Sequence, residues 1–338
     1  MNDFLKGLDC PYKDKFHTMK PFGEYVIDKA SGRNVYHVRS LPLLIQAIGS
    51  VKYNLARTKE SRTAEYRESG WRVYFRGQTS LMPNARIFKP SAYRTQNGKD
   101  VKQERADEKI GAQVKILQEN SENMKHLDKR VVEGVLQHYG LRSRWIDAVD
   151  NIWTALWFAC HTQLSGNKNE ECVHYVRRDL LCERAENKYC YILLLGIDTS
   201  DMKSSGIPGF IGDKSGEVLD LRYALPSFYI RPHIQHGILV RLMESVGHPR
   251  YDMSPLLQSI VRIDLDVALQ WIDRGFSFEA SDMFPPPAFD TGLDELFRTE
   301  RKIEDEILQL QGRKDKSKDE ADKLSRYTKN RIVLQRVC

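Results

Sequence analysis

Apolar side chains recur at helical spacing between Ser40 and Arg57, where Leu41, Leu44, Ile45, Ile48, Val51 and Leu55 line one face of an amphipathic helix. From Trp71 to Phe75 the pattern becomes a short run of aromatic and branched residues. This predicts a strand that stops at Arg76-Gly77-Gln78, where a loop begins. Ile110, Val114 and Leu117 mark an apolar face between Lys99 and Asn120, and a second helical pattern covers Leu127 to His138. Both helices are expected to border the central site. Asp150 to Gln163 carries Ile152, Trp153, Leu156, Trp157 and Ala159 at helical intervals and predicts a core helix. Cys172–Val176, Tyr189–Ile197, Gly237–Met243 and Ser259–Leu265 read as strands of one sheet. The stretch from Asp198 to Pro232 is rich in glycine and proline and is expected to be a long functional loop, able to serve as a lid.

Beyond Pro285, Pro286 and Pro287, Leu293 to Gln311 resumes helical periodicity, and Arg313 to Lys329 is almost wholly polar, a solvated helix or a tether. Leu296, Ile303, Ile307 and Leu310 form a stripe that would dock on its own domain rather than on a second copy. The pattern as a whole predicts an α+β fold: a mixed, largely antiparallel central sheet flanked by helices, with a charged helical C-terminal tail. Residues 1–69 are expected to form a helical lead-in packed on the core, 70–290 the central domain and 291–338 the tail. The tail also offers a surface to a protein partner.

Composition narrows the class. Hydrophobic residues are 41% and charged residues 29% of the 338, which fits a globular chain and excludes global disorder. The longest apolar run, Tyr189 to Gly196, is too short to span a membrane, and Met1 to Phe16 lacks the apolar stretch of a signal peptide; a cytoplasmic location without a membrane partner is expected. Fifty-two Lys and Arg against 46 acids leave a net charge of +6, which favours an anionic ligand or nucleic acid. The six cysteines are irregularly spaced and read as reduced thiols. Cys172, Cys182 and Cys190 lie near His161 and His174 without the CxxC spacing of a zinc site, so no metal is expected.

Three clusters carry candidate chemistry. In Tyr74-Phe75-Arg76-Gly77-Gln78, the arginine offers a permanently charged fork of donors, and Gly77 removes the side chain that would hold a ligand off the backbone. The other reading of Arg76 is a partner for a core carboxylate. Gln137 to Asp147 (QHYGLRSRWID) ends a helix at Gly140, placing His138 in the last turn, where the helix dipole favours its protonated form. Here the alternative has Asp147 capping the next helix and pairing with Arg144, while His138 satisfies backbone carbonyls. Arg231-Pro232-His233-Ile234-Gln235-His236-Gly237 is a polar step into a strand, with Gln235 and His236 able to bind a ligand without fixed charge. No GxSxG motif accompanies a hydrolase reading built on His138 and Asp147.

Together these clusters resemble the FRG domain family, named for the Phe-Arg-Gly of its first motif. The resemblance rests on YFRGQ at Tyr74–Gln78, QHYGLRSRWIDAVDNIWTALWFAC at Gln137–Cys160 and RPHIQHG at Arg231–Gly237, and covers about residues 70–290. Two positions depart from the family's usual pattern: Arg142-Ser143-Arg144-Trp145-Ile146-Asp147 stands where Pro-Thr-Arg-Leu-Leu-Asp is common, and His236 stands where a second glutamine is common. A more distant likeness to ADP-ribosyltransferases implies NAD as the nucleotide. On that likeness Arg76, Gly77, Gln78, Tyr139, Arg144 and His236 would bind it, while Arg76, His138, Gln235 and Glu133 would act on it. Glu133 would supply an acid that Gln235 and His236 cannot. The resemblance implies an effector of bacterial or phage defence or toxin systems, acting on nucleic acid or protein. A non-catalytic module that recognises nucleic acid or a phospho-ligand is the alternative.

Overall fold

The computed structural model describes residues 24–29, 32–56, 70–81, 88–94, 101–165, 172–181, 188–243, 251–275 and 278–337. An antiparallel pair, β1 (Glu24–Ile27) and β2 (Asn34–Val38), leads into α1 (Leu41–Ala56) and β3 (Trp71–Gln78). Next come α2 (Gln103–Asn120), α3 (Glu122–Lys125), α4 (Lys129–His138), β4 (Ile146–Val149) and α5 (Ile152–Cys160). A hairpin of β5 (His161–Ser165) and β6 (Cys172–Arg177) precedes β7 (Tyr189–Asp198), β8 (Lys203–Ser204), β9 (Phe210–Gly212) and β10 (Gly216–Asp220). The remainder is α6 (Leu221–Ala224), α7 (Ile230–Ile234), β11 (Gly237–Leu242), β12 (Leu257–Asp264) and α8 (Leu265–Gly275). It closes with α9 (Ala280–Met283), α10 (Thr291–Gly312), α11 (Lys318–Lys329) and β13 (Arg336–Val337).

The main sheet runs β1-β2-β12-β7-β3-β4-β11-β10-β9-β8, and of its pairs only β2 with β12 is parallel. This is the α+β fold with a mixed, largely antiparallel sheet expected from the pattern. Its centre is β7, apolar on both faces: Cys190, Ile192 and Leu194 enter one layer, Tyr191, Leu193 and Leu195 the other. A strand buried on both faces reads as a continuous apolar run, as this one does. α1, α5 and α8 cover the first layer. A third cluster gathers α2, α4 and α10 around Tyr139, Trp145 and Tyr229.

Several local expectations are corrected. β3 runs on through Arg76, Gly77 and Gln78, because the ladder to β7 continues at Leu193, Ile192 and Tyr191. The helix expected to reach Gln163 ends at Cys160, and His161–Ser165 becomes β5, paired with β6. The stretch 198–232 is no open loop. It contributes β8, β9, β10, α6 and most of α7, with its glycines taken up by turns; Gly206 and Gly209 have φ of 80° and 72°. The polar step at Arg231 is likewise helical (α7), and the chain turns into β11 at His236.

Arg313–Lys329 is no tether either: Tyr327 of α11 is buried, Asn120 Nδ2 donates to its hydroxyl at 2.9 Å, and Arg326 pairs with Glu119. Leu296 and Ile303 of α10 are buried in the chain's own core with Ile307 packed against it, and Leu310 is buried as well. Cys160 and Cys190 are buried free thiols, whereas Cys10, Cys182 and Cys338 lie outside the described residues, as do Met1–Phe16. No described helix is long and apolar enough to cross a membrane.

Candidate functional site

β3 and β4 meet at a single register pair, Phe75 with Val149, and then part. Each stays bonded on its other side, β3 to β7 and β4 to β11, so the sheet splits without losing its ladder. The split opens a cleft of about 480 Å³, a volume suited to a small ligand. Arg76, Gly77 and Gln78 of β3 form one wall and Asp147 of β4 the other; His161, Thr162 and Gln163 of β5 and Tyr175 of β6 close an end. Residues 88–94 bring in Lys89 and Arg94. That segment is held by the second motif: Ala92 N–H donates to the Ser143 carbonyl at 3.0 Å, and Ser143 N–H to Ser91 Oγ at 2.9 Å. Sequence reasoning missed Lys89, Arg94 and Tyr175, which lie outside every motif.

Positive charge dominates. Among the described lining residues Arg33, Arg76, Lys89 and Arg94 face one carboxylate, Asp147. Burial, reinforced by the nearby Arg76 and Arg142, pushes the Arg94 guanidinium down to about 10, as cations crowded without counter-charge require. Arg76 donates from Nη1 to the Asp147 carbonyl and stands 3.9 Å from Oδ2, while its buried Nε has no hydrogen-bond partner. Burial lowers the pKa of His161 and favours its neutral form, and its ring stacks on Trp157 at 4.0 Å.

Gly77 carries a packing duty that its sequence position did not reveal. A Cβ there would lie 1.8 Å from the Ala155 carbonyl oxygen, so the glycine is required to admit the backbone of α5.

Behind Asp147 lies a buried polar chain. His138 Nε2 is 3.6 Å from Asp147 Oδ1, and its Nδ1 is 3.2 Å from Gln235 Oε1, whose amide nitrogen donates to the Met283 carbonyl at 2.7 Å. Gly237 makes room for the imidazole, since a Cβ would lie 2.6 Å from His138 Cε1. The helix-dipole expectation for His138 is corrected: burial lowers its pKa and favours the neutral ring, against an opposing contribution from Asp147. Gly140, with φ of 104°, does end α4 as expected.

The other candidates lie elsewhere. Glu133 is wholly buried, and both its oxygens are taken by Arg144: the Arg144 N–H donates to Oε1 at 2.7 Å and its Nε to Oε2 at 3.1 Å. Neither residue lines the cleft, and Arg144 pairs with Glu133 rather than Asp147. Asp147 sits in β4, leaving Asn151 to cap α5. Tyr139 is buried with its hydroxyl on Asp290 at 2.9 Å, and Arg231 lies over its ring. His236, in a left-handed conformation with φ of 53°, turns to Asp150 at 2.9 Å and Arg222 at 3.0 Å. It therefore takes part in an ion-pair cluster outside the cleft. Of the nine residues singled out from the sequence, Arg76, Gly77 and Gln78 reach the cleft, and His138 and Gln235 stand behind it.

Neither a search of curated proteins nor one of solved structures returns a match. Residues 71–168 match the FRG domain family. That span begins with the strand bearing Arg76, includes Asp147 and His138, and takes in the β5 wall, so the chain carries an FRG domain whose matched segment builds most of this cleft.

Proposed function

We propose that the cleft binds a nucleotide through its phosphates and that the protein is an ADP-ribosyltransferase-like enzyme using NAD. The observation that carries this reading is the excess of Arg76, Lys89 and Arg94 over Asp147 in a partly buried cleft. Such a set is a receptor for a polyanion, and a guanidinium with an unfilled Nε suits a bidentate phosphate contact. Phe158 and Tyr175 supply flat apolar walls for a base. Asp147 takes the place first assigned to Glu133 and Gln235, since it is the carboxylate that faces the cleft. Its negative charge would stabilise the oxocarbenium-like centre formed as nicotinamide leaves. Nucleic acid or protein in a bacterial defence or toxin setting is the acceptor this reading carries over from the resemblance.

Adenine-labelled NAD is incubated with wild type and Arg76→Ala, together with RNA, DNA and protein acceptors, and free nicotinamide and label incorporation are followed. Nicotinamide release and transfer, both lost in a variant with unchanged Tm, support the enzyme and identify its acceptor. Among the described lining residues the single carboxylate, already beside Arg76, favours a second reading: a recognition module for phosphate-bearing ligands. Folded wild type that releases no nicotinamide but binds oligonucleotides with steep salt dependence would establish that module instead.

A further inference from the structure

His138 Nε2 is buried and has no hydrogen-bond partner, and it faces the Asp147 carboxylate at 3.6 Å. Buried polar atoms in folded proteins are almost always satisfied, so an orphaned nitrogen beside a candidate site asks for an explanation. The hydrogen-bond chain supplies one. Gln235 Nε2 must face the Met283 carbonyl, because the flipped amide would set two oxygens against each other. Gln235 Oε1 is thereby the atom presented to His138 Nδ1, and an oxygen can only accept. In the neutral ring the proton is therefore on Nδ1, and Nε2 turns a lone pair toward Asp147 Oδ1. Two acceptors 3.6 Å apart are complementary once one proton lies between them.

We propose that Asp147 and His138 form a one-proton dyad, with Gln235 as the residue that fixes its tautomer, and that the dyad receives the proton released by the acceptor during transfer. The proposal rests on the transferase reading and assigns its base. As the acceptor's hydroxyl oxygen bonds to the ribose C1′, its O–H bond breaks and the glycosidic C–N bond breaks. The bonding pair leaves on nicotinamide, neutralising the pyridinium. The proton passes to Asp147, is shared with His138 Nε2, and returns to solvent after release of product. Asp147 touches the acceptor; His138 acts through Asp147 and is a positioning residue, as is Gln235. Around the pair, Arg231 of α7 opposes the imidazolium, Arg76 of β3 holds the far side of Asp147, and Tyr175 of β6 adds its phenol. The proton is thus retained by a carboxylate flanked on two sides rather than by a free one.

The test begins with ¹⁵N NMR of the full chain labelled at histidine, assigned by His138→Gln. At pH 7.5 His138 is expected to carry its proton on Nδ1, and in Gln235→Leu, where that acceptor is gone, the proton is expected to move to Nε2. A proton on Nε2 in wild type, or a tautomer unmoved by Gln235→Leu, overturns the dyad whether or not NAD is turned over. The second arm measures nicotinamide release with acceptor against pH. His138→Gln is expected to lower kcat at pH 7.5 at least tenfold with KM for NAD unchanged, and to move the acid limb of the profile. An unmoved limb, or kcat and KM changing together with Tm, assigns His138 a packing role and overturns the proposal. Wild type showing the Nδ1 tautomer but no nicotinamide release overturns the transferase reading, and with it the catalytic use of the pair.

Discussion

Arg76 of the first motif and Arg144 of the second stand in opposite environments. Arg144 is locked to a carboxylate that is itself wholly buried, with main-chain and side-chain nitrogens of one residue gripping both oxygens. Arg76 has a carbonyl, a carboxylate at 3.9 Å and a buried Nε with no partner. One guanidinium is spent on the fold, and the other is held at the cleft with donors in reserve. Both oxygens of the buried Glu133 carboxylate are filled by Arg144, whereas the cleft arginine keeps a buried donor unfilled.

The largest effect is expected from truncating Arg144, which is paired with the buried Glu133. Arg144→Ala leaves the Glu133 charge buried and alone, and should cost about 3–5 kcal/mol in urea unfolding. A loss below about 1 kcal/mol would mean the pair is not what holds α4 to the start of β4. Next in size is Gly77→Ala, whose methyl collides with the Ala155 carbonyl and should cost about 2–3 kcal/mol by forcing α5 off β3. Were Gly77 present to admit a ligand, this variant would keep its Tm and lose only binding. Arg76→Ala should do the reverse of Arg144→Ala: unfolding free energy within about 1 kcal/mol of wild type, and affinity for ADP-ribose or inorganic pyrophosphate down roughly tenfold or more by calorimetry. The smallest effect belongs to the exposed cluster: Asp150→Asn, at a half-exposed ion pair with Arg222 and His236, should change stability by about 1 kcal/mol or less.

A pH titration sharpens the contrast from the side of His138. Burial holds its folded pKa below the ordinary 6.5, so below that value the unfolded chain binds the proton more readily. The contribution of the neutral ring is complete above about pH 6.5 and is lost as pH falls toward the lower folded value. Urea unfolding from pH 7.5 to 5 should show that decline in wild type, and a flatter one in His138→Gln.

Much of the scaffold was legible from local pattern. The face of α1, the charge-poor α5 and the apolar run of β7 each carry their burial in their own residues, so periodicity finds them without knowledge of partners. The stretch 198–232 was not legible as structure. Its glycines and prolines read as loop punctuation, but β9 and β10 gain order by pairing with each other and with β11. The stop expected at Arg76 failed for the same reason, since a strand's end is decided by its neighbour and β7 continues past that point. The polar α11 gives little local sign of docking, because its anchor is the single buried Tyr327 meeting Asn120.

The candidate site divides along the same line. The motifs bring forward Arg76, His138, Asp147 and Gln235 as residues capable of ligand or proton chemistry, because charge, donor geometry and titration belong to the side chain itself. Roles are another matter. That Glu133 rather than Asp147 answers Arg144, that His236 turns to Asp150, and that Lys89, Arg94 and Tyr175 complete the cleft are decided by contacts between segments distant in sequence. Residue types and local pattern established which side chains could bear charge or bond hydrogen and where the strongly patterned elements, α1, α5 and β7, would lie. Which of those charges are neutralised is settled by folding. Electrostatic satisfaction is a property of pairs brought together by folding, and no single position along the chain carries it.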